Sequence, residues 1–120
     1  MRAVNKLIER IFDGFTVGDE KIPVKFMNYF GHGEPYVTYL EMSLDNTFNA
    51  DNKLRAFEAF YYFDVYSTSN FEPILNAVKT RLEYYGFSWQ PIQTSSDMFD
   101  PDTGYYHKTL CFSFLVNESE

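Results

Sequence analysis

The sequence predicts an α+β fold: a single antiparallel or mixed β-sheet with two helices packed on one face, in the order αβββαββ. Three observations predict it. Residues 54–67 (LRAFEAFYYFDVYS) alternate with the period of two that places successive side chains on opposite faces of a strand. Two stretches repeat apolar residues at helical spacing, one near the start and one after residue 70. The other apolar runs are short, β-favouring and separated by turn signals, which suits adjacent antiparallel strands with the helices on one side.

Residues 3–12 form the first expected helix, with Ala3, Val4, Leu7, Ile8, Ile11 and Phe12 on one side and Gly14 as a stop. Residues 22–28 (IPVKFMN) and 36–42 (YVTYLEM), joined through GHGEP at 31–35, read as a hairpin. Residues 43–53 (SLDNTFNADNK) read as a polar loop holding one aromatic, Phe48. In the long strand, Phe57, Ala59, Tyr61, Phe63 and Val65 make the better core face. Ala56, Glu58, Phe60, Tyr62, Asp64 and Tyr66 make a half-wet one. Thr68, Ser69 and Asn70 are N-cap candidates for the second helix, and Pro73 is tolerated in its first turn. Its apolar stripe is Ile74, Leu75, Val78, Leu82 and Tyr85, and Gly86 stops it. Residues 87–99 look extended, with Pro91 marking an edge or a bulge. DPDTG at 100–104 is a turn into a last strand at 105–116, where Leu110, Phe112, Phe114 and Val116 alternate with Thr109, Cys111, Ser113 and Leu115.

The 120 residues amount to one domain, 1–120, able to bury roughly two thirds of its unfolded surface without disulfide or metal. Aromatics make up 20% of the chain, with 13 Phe and 10 Tyr, a composition that favours strands and protein interfaces. The formal charge of −7 offers no basic footprint for nucleic acid or an anionic membrane. The start, MRAVNKLIERIFDGF, spreads charges through its apolar residues and so is not expected to be a signal peptide, and no run approaches a membrane span. The single cysteine, Cys111, cannot close an internal disulfide and points to a reducing compartment.

Catalytic and metal-binding patterns are weak. His32 lies between glycines and His107 in a strand, with no HExxH and no Cys/His cluster. Asp97, Asp100 and Asp102 gather at one turn but lack the EF-hand spacing, so turn formation is their simpler role. Cys111 and His107 share a strand face about 13 Å apart, too far for direct proton transfer. Glu41, Glu58 and Asp64 read as solvated strand positions, and GHG lacks the helix and Lys–Ser/Thr pair of a phosphate loop. The chain is therefore expected to be no enzyme and to need no cofactor or metal. Aromatics on a wet face, and exposed loops, mark the candidate protein-interface residues: Phe48, Phe60, Tyr62, Tyr66, Pro91, Asp100 and Asp102.

Three segments carry a family resemblance: PYVTY at 35–39; YYFDVYSTSN at 61–70, followed by a helix ending in YYGF; and MFDPDTGYYHKTLCFSF at 98–114. Their succession over residues 20–116 resembles the tail terminator or tail-completion (head–tail joining) proteins of long-tailed bacteriophages. The resemblance implies a small α+β subunit that assembles into a ring, commonly a hexamer. The ring caps the completed tail tube and meets the head connector or neck protein. It implies residence at the head–tail junction of the virion after synthesis in the host bacterial cytoplasm. DNA would be passing cargo, which an acidic wall would repel rather than hold. Two other classes fit the composition: a monomeric phage-encoded regulator or inhibitor of a host protein, and a small-ligand-binding α+β domain.

Overall fold

The computed structural model describes the backbone of residues 2–27, 29, 33–48 and 56–117, and the side chains of 4–27, 29, 33–41 and 58–115. The elements are α1 (Arg2–Ile11), β1 (Thr16–Val17), β2 (Glu20–Lys21), β3 (Val24–Phe26), β4 (Tyr36–Phe48), β5 (Ala56–Ser67), α2 (Glu72–Tyr84), β6 (Ser88–Trp89), a 3₁₀ turn (Pro91–Gln93), β7 (Met98–Asp100) and β8 (Tyr105–Asn117). The main sheet runs β3-β4-β5-β8-β6, with β7 also on β8, and is mixed. β1 and β2 form a separate two-stranded ribbon turned at Gly18, whose φ of 62° favours glycine.

Both helices cover one face of the sheet. Val4, Ile8 and Ile11 of α1 and Ile74, Leu75, Val78 and Leu82 of α2 share one core with Val37, Tyr39, Ala59, Tyr61, Phe63, Val65, Leu110 and Phe112. The expected core face of β5 is therefore the real one from Ala59 to Val65, all four of whose core positions are fully buried. Phe63 sits at the centre, its ring 6.1 Å from Phe12, 5.6 Å from Tyr39 and 5.8 Å from Phe112. The buried Tyr61 hydroxyl donates to Asn5 Oδ1 of α1 at 2.9 Å, which satisfies its polar end. Arg81 of α2 donates to the Ile11 carbonyl at the end of α1 and lies over the Phe15 ring, so one guanidinium ties the two helices together.

The helix ends follow local chemistry. Asn70 Oδ1 accepts the Glu72 amide at 3.1 Å, one step ahead of the cap position, which Phe71 occupies. At the other end Gly86, with φ of 96°, takes the left-handed position of a Schellman motif. Gly86 N donates to the Glu83 carbonyl at 3.1 Å and Phe87 N to the Leu82 carbonyl at 3.0 Å. Tyr85, placed on the apolar stripe from its spacing, instead lies past the last helical residue and is exposed.

Three expectations fail in the sheet. Residues 22–28 and 36–42 are no hairpin: β3 pairs parallel to β4, Val24 opposite Val37 and Phe26 opposite Tyr39. β3 is only three residues long, about 10 Å, and residues 28 and 30–32 of the connection to β4 lie outside the described residues. The polar run 43–48 is strand rather than loop. β4 continues to Phe48, with irregularities between Glu41 and Ser43 and between Asn46 and Phe48 that shift the period of two and hide it from a pattern reading. Residues 49–53 of the expected loop lie outside the described residues. Finally, 87–99 is not one strand. β6 and β7 both pair antiparallel with β8, and between them Pro91 opens a 3₁₀ turn. The expected turn at 100–104 does lead into the last strand, and it joins β7 to β8 as an antiparallel hairpin.

Candidate functional site

With the helices on one side, no helix or second sheet among the described residues covers the other face of the sheet. Its residues follow from the register. Tyr36, Tyr66 and His107 form one row across β4, β5 and β8; Thr38, Asp64 and Thr109 the next; Leu40, Tyr62 and Cys111 the third. Phe60 with Ser113 and Glu58 with Leu115 continue it.

The first row is a three-ring stack. Tyr36 and Tyr66 lie 4.5 Å apart with planes 12° from parallel, and Tyr66 and His107 lie 4.4 Å apart at 7°. Tyr105 closes it edge-on against both tyrosines, and Tyr29 leans on Tyr36 at 5.1 Å. Segment 33–35 fastens the end of the stack. The Tyr105 hydroxyl donates to the Glu34 carbonyl at 2.8 Å and accepts the Gly33 amide at 3.0 Å, while the Tyr29 hydroxyl donates to Glu34 Oε2 at 2.9 Å. Burial raises the Tyr36 phenol to about 12, with the neighbouring Tyr66, Tyr105, Glu34 and Asp64 adding to it. Burial, and then the nearby Asp64 charge, also raises that of Tyr66.

In the second row the Asp64 carboxylate accepts from Thr109 Oγ1 and lies 3.4 Å from His107 Nε2. The Thr, His and Asp side chains meet, but not as a relay. Nε2 faces both the hydroxyl and the carboxylate, whereas a triad needs its two ring nitrogens on different partners. Thr109 donates to the carboxylate directly, so the group reads as an internal polar lock.

The remaining rows are apolar and half-wet. Leu40, Phe60 and Tyr62 are half-buried, and Leu115 is 56% exposed. Cys111 and Ser113, on the same face of β8, are buried because segment 90–93 reaches over them. Cys111 Sγ donates to Gln93 Oε1 at 3.2 Å and Gln90 Nε2 donates to Ser113 Oγ at 3.1 Å. Burial pushes the Cys111 thiol up, which suits an inert side chain.

The expected interface residues therefore divide. Phe60, Tyr62 and Tyr66 share the helix-free face. Phe48 ends β4, and its side chain lies outside the described residues. Pro91 is exposed in the 3₁₀ turn rather than in an edge strand. Asp100 and Asp102 belong to the far turn. There Asp100 accepts from the Asp102 amide at 3.0 Å and from Thr103 Oγ1 at 3.1 Å, a turn-holding role. Asp97 instead takes Lys108 at 3.1 Å. Among the described residues no group of three or more His, Cys, Asp or Glu side chains could hold a metal ion.

Sequence reasoning missed Tyr36, Leu40, His107 and Leu115 as partners of this face, because membership depends on the register between strands. It also missed an aromatic step at the far end. There Phe99 packs at a tilt of 46° against the exposed Tyr106, centroids 4.7 Å apart, beside Phe71 and a cleft of about 400 Å³ lined by Thr68, Ser69, Asn70, Phe71, Asp97 and Tyr106. Among the described residues no helix is long and apolar enough to cross a membrane. No protein-family model matches the chain, and a search of curated proteins finds no significant match.

Proposed function

We propose that this chain is a structural subunit that works through protein–protein contacts made by the helix-free face of its sheet, and that its assembly is the ring closing the tail tube of a long-tailed phage against the head connector. One observation carries the reading. Leu40, Phe60, Tyr62 and Leu115 form a half-wet apolar strip beside a stack, Tyr36–Tyr66–His107, that is already locked by its own hydrogen bonds and rings. Rigid aromatics on an open sheet lose little entropy when a partner covers them, which is what a docking surface needs. The Asp64, His107 and Thr109 groups on the same face are engaged with one another rather than converging on an enclosed space. The assignment to a tail ring rests on the resemblance of segments 35–39, 61–70 and 98–114. The net charge of −7 suits a passage for DNA that must not bind it.

The experiment is to add the purified protein to open-ended tail tubes and to image their ends by negative stain. A single ring at one end of each tube, lost with Phe60→Lys, supports the reading. Tubes left bare at every protein concentration would remove it, and tight binding of the monomer to a host protein instead would favour a regulator.

A further inference from the structure

Among the described residues β4 and β8, the strands on either side of β5, each carry a free edge at the same end of the sheet. β3 flanks β4 only from Val37 to Tyr39, and among the described residues no strand lies beside 40–48 on that side. Val37 N donates to the Pro23 carbonyl and the Tyr39 carbonyl accepts Met27 N, so residues 37 and 39 turn their backbone groups outward, and Glu41 continues that alternation.

β8, by contrast, is closed along most of its outer edge. β7 pairs with Tyr105 to His107, and β6 pairs with Phe112 and Ser113. Between them Ser95 brackets Thr109 through its amide and its hydroxyl, Gln90 N donates to the Cys111 carbonyl, and Thr94 Oγ1 accepts the Cys111 amide. Residues 109 and 111 thus turn outward. Leu115 and Asn117 continue the series, and among the described residues nothing pairs beside 114–117.

β4 and β8 both run antiparallel to β5, so they are parallel to each other. A second copy laid alongside in the same orientation keeps every helix on one side of the sheet. It also brings β4 of one copy against β8 of the next. The two free stretches stand at the same level, since Asp45 and Leu115 both lie opposite Glu58. We propose that copies of this chain join edge to edge, backbone 40–48 of one copy pairing in parallel with 114–117 of the next, so that one sheet runs across the joint. A two-fold β4–β4 joint would leave the β8 edge open in both copies, whereas the head-to-tail joint uses one edge of each kind. Such a contact is heterologous and leaves no free edge only when it closes as a ring. The inference rests on the reading of the chain as a self-assembling subunit and names the joint that reading needs.

Two perturbations test it. Asp45→Cys and Leu115→Cys proteins, made separately and mixed under mild oxidation, are expected to give a disulfide-linked dimer that neither gives alone, Cys111 being buried in both. The protein carrying both substitutions is expected to give a ladder ending in one closed species. Leu115→Pro removes an outward amide and no ladder bond within the chain, so the unfolding midpoint should hold while self-association falls about fivefold or more. Rings that form without the cross-link and ignore Leu115→Pro overturn the joint but leave the ring reading standing. Cross-linked chains that never close uphold the joint and overturn the ring. A cross-link within either single-substitution protein, or a monomer without cross-link across a concentration series, overturns the joint.

Discussion

Thr94 is the side chain on which closure of the β8 edge turns. Its hydroxyl donates to the Gln90 carbonyl at 3.0 Å and accepts from Trp89 Nε1 at 3.0 Å and from the Cys111 amide at 3.3 Å. One donor and two lone pairs are thereby all used. Thr94→Val keeps the volume and removes all three bonds. At about 0.5–1.5 kcal/mol net per bond the loss spans about 1.5–4.5 kcal/mol. Trp89 is partly exposed and can turn its indole N–H to water, whereas Cys111 is fully buried and its amide cannot. The lower part of that range, about 2 kcal/mol, is therefore expected, or about 8 °C in melting temperature for a chain of this size. Urea unfolding of Thr94→Val beside Thr94→Ser, with native-state hydrogen exchange at the Cys111 amide, measures it. Serine should restore most of the stability, and exchange at Cys111 should quicken only in the valine protein. A valine protein within about 0.5 kcal/mol of wild type, with the Cys111 amide still protected, would refute the bridging role of this hydroxyl.

Further outcomes follow from the core, a helix end and the phenols. Phe63→Ala, at a fully buried ring between both helices and three strands, should cost about 3–5 kcal/mol by urea unfolding. Gly86→Ala should cost about 1–2 kcal/mol through its positive φ alone, since the added methyl would meet only the Phe114 ring at an ordinary 3.7 Å. Burial raises the phenols of Tyr36, Tyr39, Tyr61 and Tyr66, and Tyr36 reaches about 12. A raised folded-state value means the native state holds protons that the unfolded state releases. This contribution is therefore whole below the ordinary tyrosine value near 10 and lost as pH rises from there towards 12. Stability should fall across that interval. Spectroscopic titration should show these four phenols ionising only as the protein unfolds. Simple ionisation of all ten in the folded protein would contradict the burial.

Much of this fold is legible wherever local pattern and tertiary pairing agree. β5 alternates cleanly because its core face meets both helices, and the Gly86 stop follows from the one residue that takes φ of 96° without strain. What the sequence hides depends on partners. Residues 43–48 look like loop because polar residues at two strand irregularities break the alternation, yet pairing with β5 overrides their weak propensity. Parallel β3 cannot be told from a hairpin arm, since GHGEP at 31–35 is turn chemistry for either path. Of the candidate face, the β5 residues Phe60, Tyr62 and Tyr66 are readable from parity. His107 and Tyr36 become part of it only through the register that stacks them on Tyr66. Cys111 and Ser113 have a buried face no alternation foretells, because Gln90 and Gln93 fold back over them from outside the strand.

The central claim, a subunit that assembles through its open sheet, is tested most directly by solution mass across a concentration series for wild type and Phe60→Lys, with images of the largest species. The account predicts a concentration-dependent shift from monomer to one closed ring in wild type, continuing on added tail tubes. It predicts that the charged substitution shifts the balance back to monomer or leaves rings that no longer dock. A wild-type chain that stays monomeric throughout and ignores tail tubes, or a Phe60→Lys protein that assembles and docks unchanged, would contradict it.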